Sequence, residues 1–254
     1  MGKYGVFGLM AGAAILAAGP AGATTYPGNQ GKTWQDIAKL PQITGIYETA
    51  RMSQGTAGNR PPVRAIPPEF TPTAQAELAA YRAKGAQDTD AANCLPPGMP
   101  GVMTQPYPIQ ILVTPGEVTI IQEAYMQVRH VHTDGRDHPA DPDLTFNGDS
   151  IGHWEGDTLV VDTVGLAPQA VLQTGVTHSK NEHIVERYRL SEPNMLEVKT
   201  TIEDPGVLAK PWETNARYLR HPEYSLAEYI CEQNNRNSFE NGKAGLNLEF
   251  KKAP

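Results

Sequence analysis

Cysteine and positive charge are both scarce in this chain: there are two cysteines, and 21 Lys and Arg stand against 28 Asp and Glu. The net charge is −7, or −8 once Lys3 leaves with a cleaved leader, since 20 basic residues then face 28 acidic ones. No basic cluster offsets the acidity, which disfavours nucleic acid and anionic lipid as partners. After the first residues no apolar run approaches the roughly 20 residues of a membrane span, so no membrane insertion is expected. There is no internal repeat, no long helical periodicity and no regular EF-hand spacing in the acidic stretch Asp134, Asp137, Asp141, Asp143 and Asp149, which leaves calcium with little support.

What is present begins with an export signal. Lys3, the apolar run Val6 to Ala18 and the small-residue sequence Pro20-Ala21-Gly22-Ala23 follow the order of a secretory leader, predicted to span residues 1–23 and to send the product to the periplasm or medium. In that oxidising compartment Cys94 and Cys231 are expected to pair, closing a loop long enough to contribute about 3–5 kcal/mol in the chain-entropy model.

Residues 24–101 are rich in Pro, Gly, Ala and Gln and read as an extended wrap. It carries a candidate strand, Ile43 to Thr49, and a helix over 71–84, with Thr71 as cap, Pro72 at its first position and Gly85 as its stop. From 102 to 254 short β-rich runs alternate with turn chemistry. Ile109 to Val113 meets a long strand, Val118 to His132, across Pro115-Gly116. Ser150 to Trp154 meets Thr158 to Thr163 across Glu155-Gly156-Asp157, and His183 to Leu190 meets Met195 to Ile202 across Glu192-Pro193-Asn194. With Thr214 to Arg220 this predicts an all-β fold, an antiparallel up-and-down barrel of about eight strands without parallel crossovers. A two-layer sandwich is the alternative.

Six of the seven histidines, His130, His132, His138, His153, His178 and His183, lie within one third of the chain. On the predicted long strand Val118, Ile120, Gln122, Val128, His130 and His132 share one face, which brings the two histidines to a barrel rim. Beyond it the loop from Thr133 to Pro139 offers Asp134, Arg136 and His138. Loops at a barrel mouth commonly hold ligand-touching groups, although Arg136 pairing with a neighbouring carboxylate is an equally simple account. On the next hairpin Glu186 shares a face with Ile184, Tyr188 and Leu190, a setting that raises a carboxyl unless a cation, such as a buried arginine, answers it.

These residues suggest acid–base chemistry, with His138, His178 or His183 carrying a proton, Asp134 or Glu186 orienting it, and Arg136, His153, Trp154, His130 and His132 touching substrate. A metal is a sharper use of the histidines: His130 and His132 can converge on zinc, iron or copper with a third imidazole, but no metal signature supports it and no cofactor is assigned. Nucleophilic hydrolysis is not favoured, because the cysteines are expected to be paired and His178-Ser179 adjacency does not make a triad.

The segments Asp134-Gly135-Arg136-Asp137-His138-Pro139, Gly152-His153-Trp154-Glu155-Gly156-Asp157-Thr158-Leu159-Val160-Val161-Asp162-Thr163, and His178-Ser179 with His183 to Arg187, resemble a family of exported, mostly uncharacterised proteobacterial proteins. Cys94-Leu-Pro-Pro-Gly-Met-Pro and Glu228-Tyr229-Ile230-Cys231 extend the likeness. The resemblance implies export, a shared cysteine pair, and a site drawn from Asp134, Arg136, His138, His153, Glu155, His178, His183 and Glu186; His130 and His132 fall outside it. The Trp154 to Asp157 hairpin is similar to a structural turn of lipocalin-like barrels. Three functions follow as expectations: a small-molecule-binding barrel, possessing or lacking acid–base catalysis; a non-catalytic carrier; and an envelope protein whose Pro-rich wrap docks a partner.

Overall fold

The computed structural model describes residues 33–50, 67–84, 94–173, 176–231, 237–240 and 243–246. The expected leader and much of the Pro-rich wrap, including Pro61-Pro62, lie outside the described residues.

Short-period alternation of β-branched and polar residues builds strands that bury one face. β1 (Gly45–Thr49), β2 (Ile109–Thr114), β3 (Glu117–Gln122), β4 (Gln127–His132), β5 (Asp149–Glu155) and β6 (Thr158–Val164) precede a short hairpin of β7 (Val171–Gln173) and β8 (Val176–Thr177). Then come β9 (His183–Glu192), β10 (Met195–Glu203) and β11 (Trp212–Arg220), with a separate hairpin of β12 (Asn237–Glu240) and β13 (Lys243–Leu246). Nine of these strands close a barrel in the order β1-β11-β10-β9-β6-β5-β4-β3-β2, one more than the expected eight. Closure leaves no open edge in the wall, which is the physical advantage of the barrel over the alternative sandwich.

The predicted hairpins are present. Pro115-Gly116 makes the β2–β3 reversal, where Gly116 holds φ +78°, a conformation glycine reaches without steric cost. Two-residue loops join β5 to β6 and β9 to β10. The helix is also as read, Pro72–Lys84, with the Thr71 hydroxyl accepting from the Ala74 N–H.

The long strand Val118 to His132 is not one strand. The chain turns back at Glu123 to Met126, so β3 and β4 pair antiparallel from Gln122↔Gln127 to Glu117↔His132. No Gly, Pro or Asn marks this reversal; Tyr125 and Met126 supply it with φ +57° and +49°. The exclusion of parallel pairing also fails in one place, because β4 and β5 run parallel at Val131↔Ser150 and His132↔Ile151. Parallel neighbours need a connection that returns the chain to the starting end. Residues 133–148 do this without a helix, as a strap along the outer wall: Thr133 N–H bonds Gly116 O at one end and Thr145 N–H bonds Gly165 O at the other.

The core fills the barrel with Ile111, Val118, Ile120, Val131, Leu159, Val161, Ile184, Tyr188, Leu196 and Tyr218. The end where β6 stops and β9 starts is covered by residues 165–173 and 176–182, by the helix and by the segment after Cys94; Leu172 of β7 and Met99 and Val102 of that segment join the same core. Cys94 and Cys231 form the expected disulfide, with Cα atoms 5.6 Å apart and a sequence separation of 137. No helix among the described residues is long and apolar enough to cross a membrane.

Candidate functional site

The period-two alternation of the strands sorts the polar residues into two groups on opposite sides of the wall. Inward on β4 sits Arg129, 1% exposed, reached by Glu186 of β9, also 1% exposed. The Arg129 Nη2 donates to Glu186 Oε2 at 2.5 Å and to Thr163 Oγ1 at 2.8 Å, and its Nε donates to Ser150 Oγ at 3.1 Å. Tyr188 OH completes the set, donating to Glu186 Oε1 at 2.8 Å. Burial opposes the guanidinium charge, but Glu186 and Tyr188 outweigh it and hold Arg129 above its ordinary value. Glu186 is thus answered by a cation and sealed from any substrate at this level. Ser150 lies in the string Gly148-Asp149-Ser150-Ile151-Gly152, which spells the Gly-x-Ser-x-Gly of a nucleophile elbow. It sits on a strand with its hydroxyl buried against Arg129 and Thr163, not on the exposed strand-to-helix turn that such chemistry needs.

Outward on the neighbouring positions lies the second group. His138, carried by the strap, places Nδ1 2.5 Å from Asp149 Oδ1 and Nε2 3.1 Å from Asp162 Oδ1. His183 of β9 meets the same Asp162 oxygen through Nε2 at 2.9 Å, while its Nδ1 stands 3.6 Å from Glu203. Imidazoles and carboxylates therefore alternate along Asp149, His138, Asp162, His183 and Glu203. Burial alone would lower His138, but Asp162 and Asp149 outweigh it and raise it above the usual imidazole value. Asp162 is the main cause of the rise in His183. Burial favours the neutral form of Asp162, yet the two histidines hold it well below the carboxylate range.

A cleft of about 340 Å³ opens beside this group where β4 and the end of the strap part company. Its walls are Gln127, Val128, His130 and His132 on one side and residues 145–150 on the other. Asp149 belongs to both the cleft and the imidazole chain. Asn147 bridges the gap, its Nδ2 donating to Val128 O at 3.2 Å. Val128 is 44% exposed, an apolar side chain left open at the cleft rim.

The other expected site residues are dispersed. The β3–β4 turn reverses the parity of β4, so His130 and His132 face the outer wall and Arg129 the interior, the opposite of the expected arrangement. His130 pairs with Glu117 at 2.9 Å. Asp134 and Arg136 bind each other at the start of the strap, with an Nη2–Oδ2 contact of 2.5 Å, the simpler of the two accounts. His153 meets Glu155 at 3.1 Å on the outer wall, whereas Trp154, 4% exposed, points into the core, so the two do not line one space. His178 is buried at the covered end, its ring nitrogens 2.6 Å from Ala167 O and 2.8 Å from Ser179 O, beside Glu182 at 3.3 Å. Burial, with Asp204 nearby, pushes the Glu182 carboxyl up to about 8. No single mouth gathers the expected set. Asp162 and Glu182 were not anticipated; Asp162 was marked only by being an acid at an outward position within the β-branched run Leu159 to Val164.

Among the described residues no group of three or more His, Cys, Asp or Glu is placed to hold one metal ion. No family model matches the chain, and a search of the curated proteins finds no match to it.

Proposed function

We propose that this chain is an exported barrel protein that binds a small, partly aromatic molecule, and that the ligand lies in the outer cleft beside Asp149 and not within the barrel. The observation that carries the proposal is the parting of β4 from the end of the strap, just before β4 and β5 pair at Val131↔Ser150. It leaves a cleft of about 340 Å³ with an open apolar rim at Val128, amides at Gln127 and Asn147, and imidazoles at His130 and His132. Ligand sites combine apolar lining with a few placed polar groups, at volumes of roughly 300–1,000 Å³, and this cleft suits a ligand at the small end of that range. The interior at the level of Arg129 is taken up by its own ion pair and hydroxyls. The disulfide and the leader-like N-terminus support export.

Binding is favoured over acid–base turnover by the direction of the His138 nitrogens. Both turn to carboxylates of the wall, so the ring holds the strap and has no nitrogen left to face a ligand. Chemical-shift mapping with benzamide, benzoate and phenol tests the proposal. Shifts are expected at Val128, His132 and Asn147, and Val128→Trp should abolish them by filling the cleft. Shifts confined to the covered end of the barrel or to its interior, or no site-specific shifts with any probe, would overturn it.

A further inference from the structure

The strap has few ties along its middle. Between its terminal bonds at Thr133 and Thr145, the hydrogen bonds that join residues 134–144 to the barrel wall, among the described residues, are the two made by His138. Asp134 and Arg136 are engaged with each other, and Pro142 only packs over Gly165, where a Cβ would come within 2.9 Å of it. Each His138 nitrogen faces a carboxylate oxygen. A neutral imidazole has one N–H and one lone pair, so only the doubly protonated ring can donate to both.

We infer that His138 is a proton-operated latch: as imidazolium it holds the strap shut on the outer wall, and loss of one proton releases residues 134–144. The charged groups around it come from every neighbouring element. Asp149 of β5 and Asp162 of β6 touch it, His183 of β9 shares Asp162, Glu203 of β10 stands behind His183, and on the strap Arg136 is held by Asp134. Three wall carboxylates against two imidazoliums leave the cluster mildly anionic. Removing the proton from His138 sets its lone pair against a carboxylate and uncovers the repulsion between Asp149 and Asp162. Because the carboxylates raise His138 above the usual imidazole value, the latch stays shut past the pH at which a free imidazole loses its proton and opens as pH climbs further. Asp149 joins latch and cleft, so release also loosens one cleft wall, and the latch exists whether or not a ligand enters there.

Backbone ¹⁵N relaxation and histidine ring shifts of the intact protein, followed from about pH 5.5 to about 9.5, test this directly. Strap order parameters should fall from about 0.85 to below about 0.6 with the midpoint of the His138 titration, while β9 and β10 stay rigid. His138→Gln, which cannot carry the charge, should leave the strap mobile at every pH. Asp162→Asn, which removes one partner charge, should move the midpoint to lower pH and serves where the glutamine variant fails to fold. A strap that stays rigid through the His138 titration, a rigid strap in His138→Gln, or an unmoved midpoint in Asp162→Asn would overturn the latch.

Discussion

Two ionic networks lie back to back across the same sheet wall, built from adjacent residues and opposite in character. Ser150 and Thr163 point inward to the Arg129–Glu186 pair, and their neighbours Asp149 and Asp162 point outward to the histidines. The inner pair is 1% exposed and closed off by hydroxyls and apolar side chains, so it can hold a charge but cannot exchange it with solvent. The outer groups are 19–53% exposed and lie within reach of water. One residue step, and therefore one side of the sheet, separates an architectural ion pair from a proton-responsive one.

Breaking the inner pair carries the largest expected cost in stability. Arg129→Met leaves Glu186 buried without its cation and should cost about 3–5 kcal/mol in urea unfolding, and adding Glu186→Leu should recover most of it. Next comes Glu182 at the covered end. Its folded value, about 8, lies above the unfolded value of an ordinary glutamate, so its contribution is full below the unfolded value and falls as pH rises toward 8. Glu182→Gln should therefore gain about 1–3 kcal/mol on the wild type between acid and mildly alkaline pH, seen as a flatter stability profile.

On the outer wall the effect is smaller. His138 is raised in the folded state, so its contribution is complete below the unfolded imidazole value and is lost as pH climbs through the folded one. His138→Ala should cost about 1 kcal/mol at acid pH and almost nothing at strongly alkaline pH. The smallest change is Asp134→Asn. This exposed pair with Arg136 should shift stability by no more than about 0.5 kcal/mol.

The barrel was largely legible because its hairpins are signalled locally, by Pro115-Gly116, by Gly156 and by Pro193-Asn194, and because β-branched residues alternate cleanly along the strands. The turn at Glu123 to Met126 was not, since nothing in Glu-Ala-Tyr-Met announces positive φ; the surrounding sheet imposes it. That single reversal changed the parity of β4, put Arg129 inside and the histidines outside, and moved the candidate site from a mouth to the outer wall. Glu186 is legible as an acid in apolar surroundings that a buried arginine can answer, but an unbroken strand from Val118 to His132 would put Arg129 on the face opposite His130 and His132, away from the interior. His138 and His183 were found by composition, whereas Asp162, which joins them, depends on the pairing of β6 with β9 at Asp162↔Val185 and Thr163↔Ile184. Such pairing of distant segments is set by closure of the whole sheet and leaves little trace in either segment alone.

If a small molecule enters from the outer wall beside Asp149, the barrel interior stays closed to it at the level of Arg129. Crystals soaked with phenol or benzamide test this most directly. Ordered density for the probe is expected between Val128 and Asn147, whereas density against Arg129 and Glu186 inside the barrel would rule out the outer cleft as the binding place.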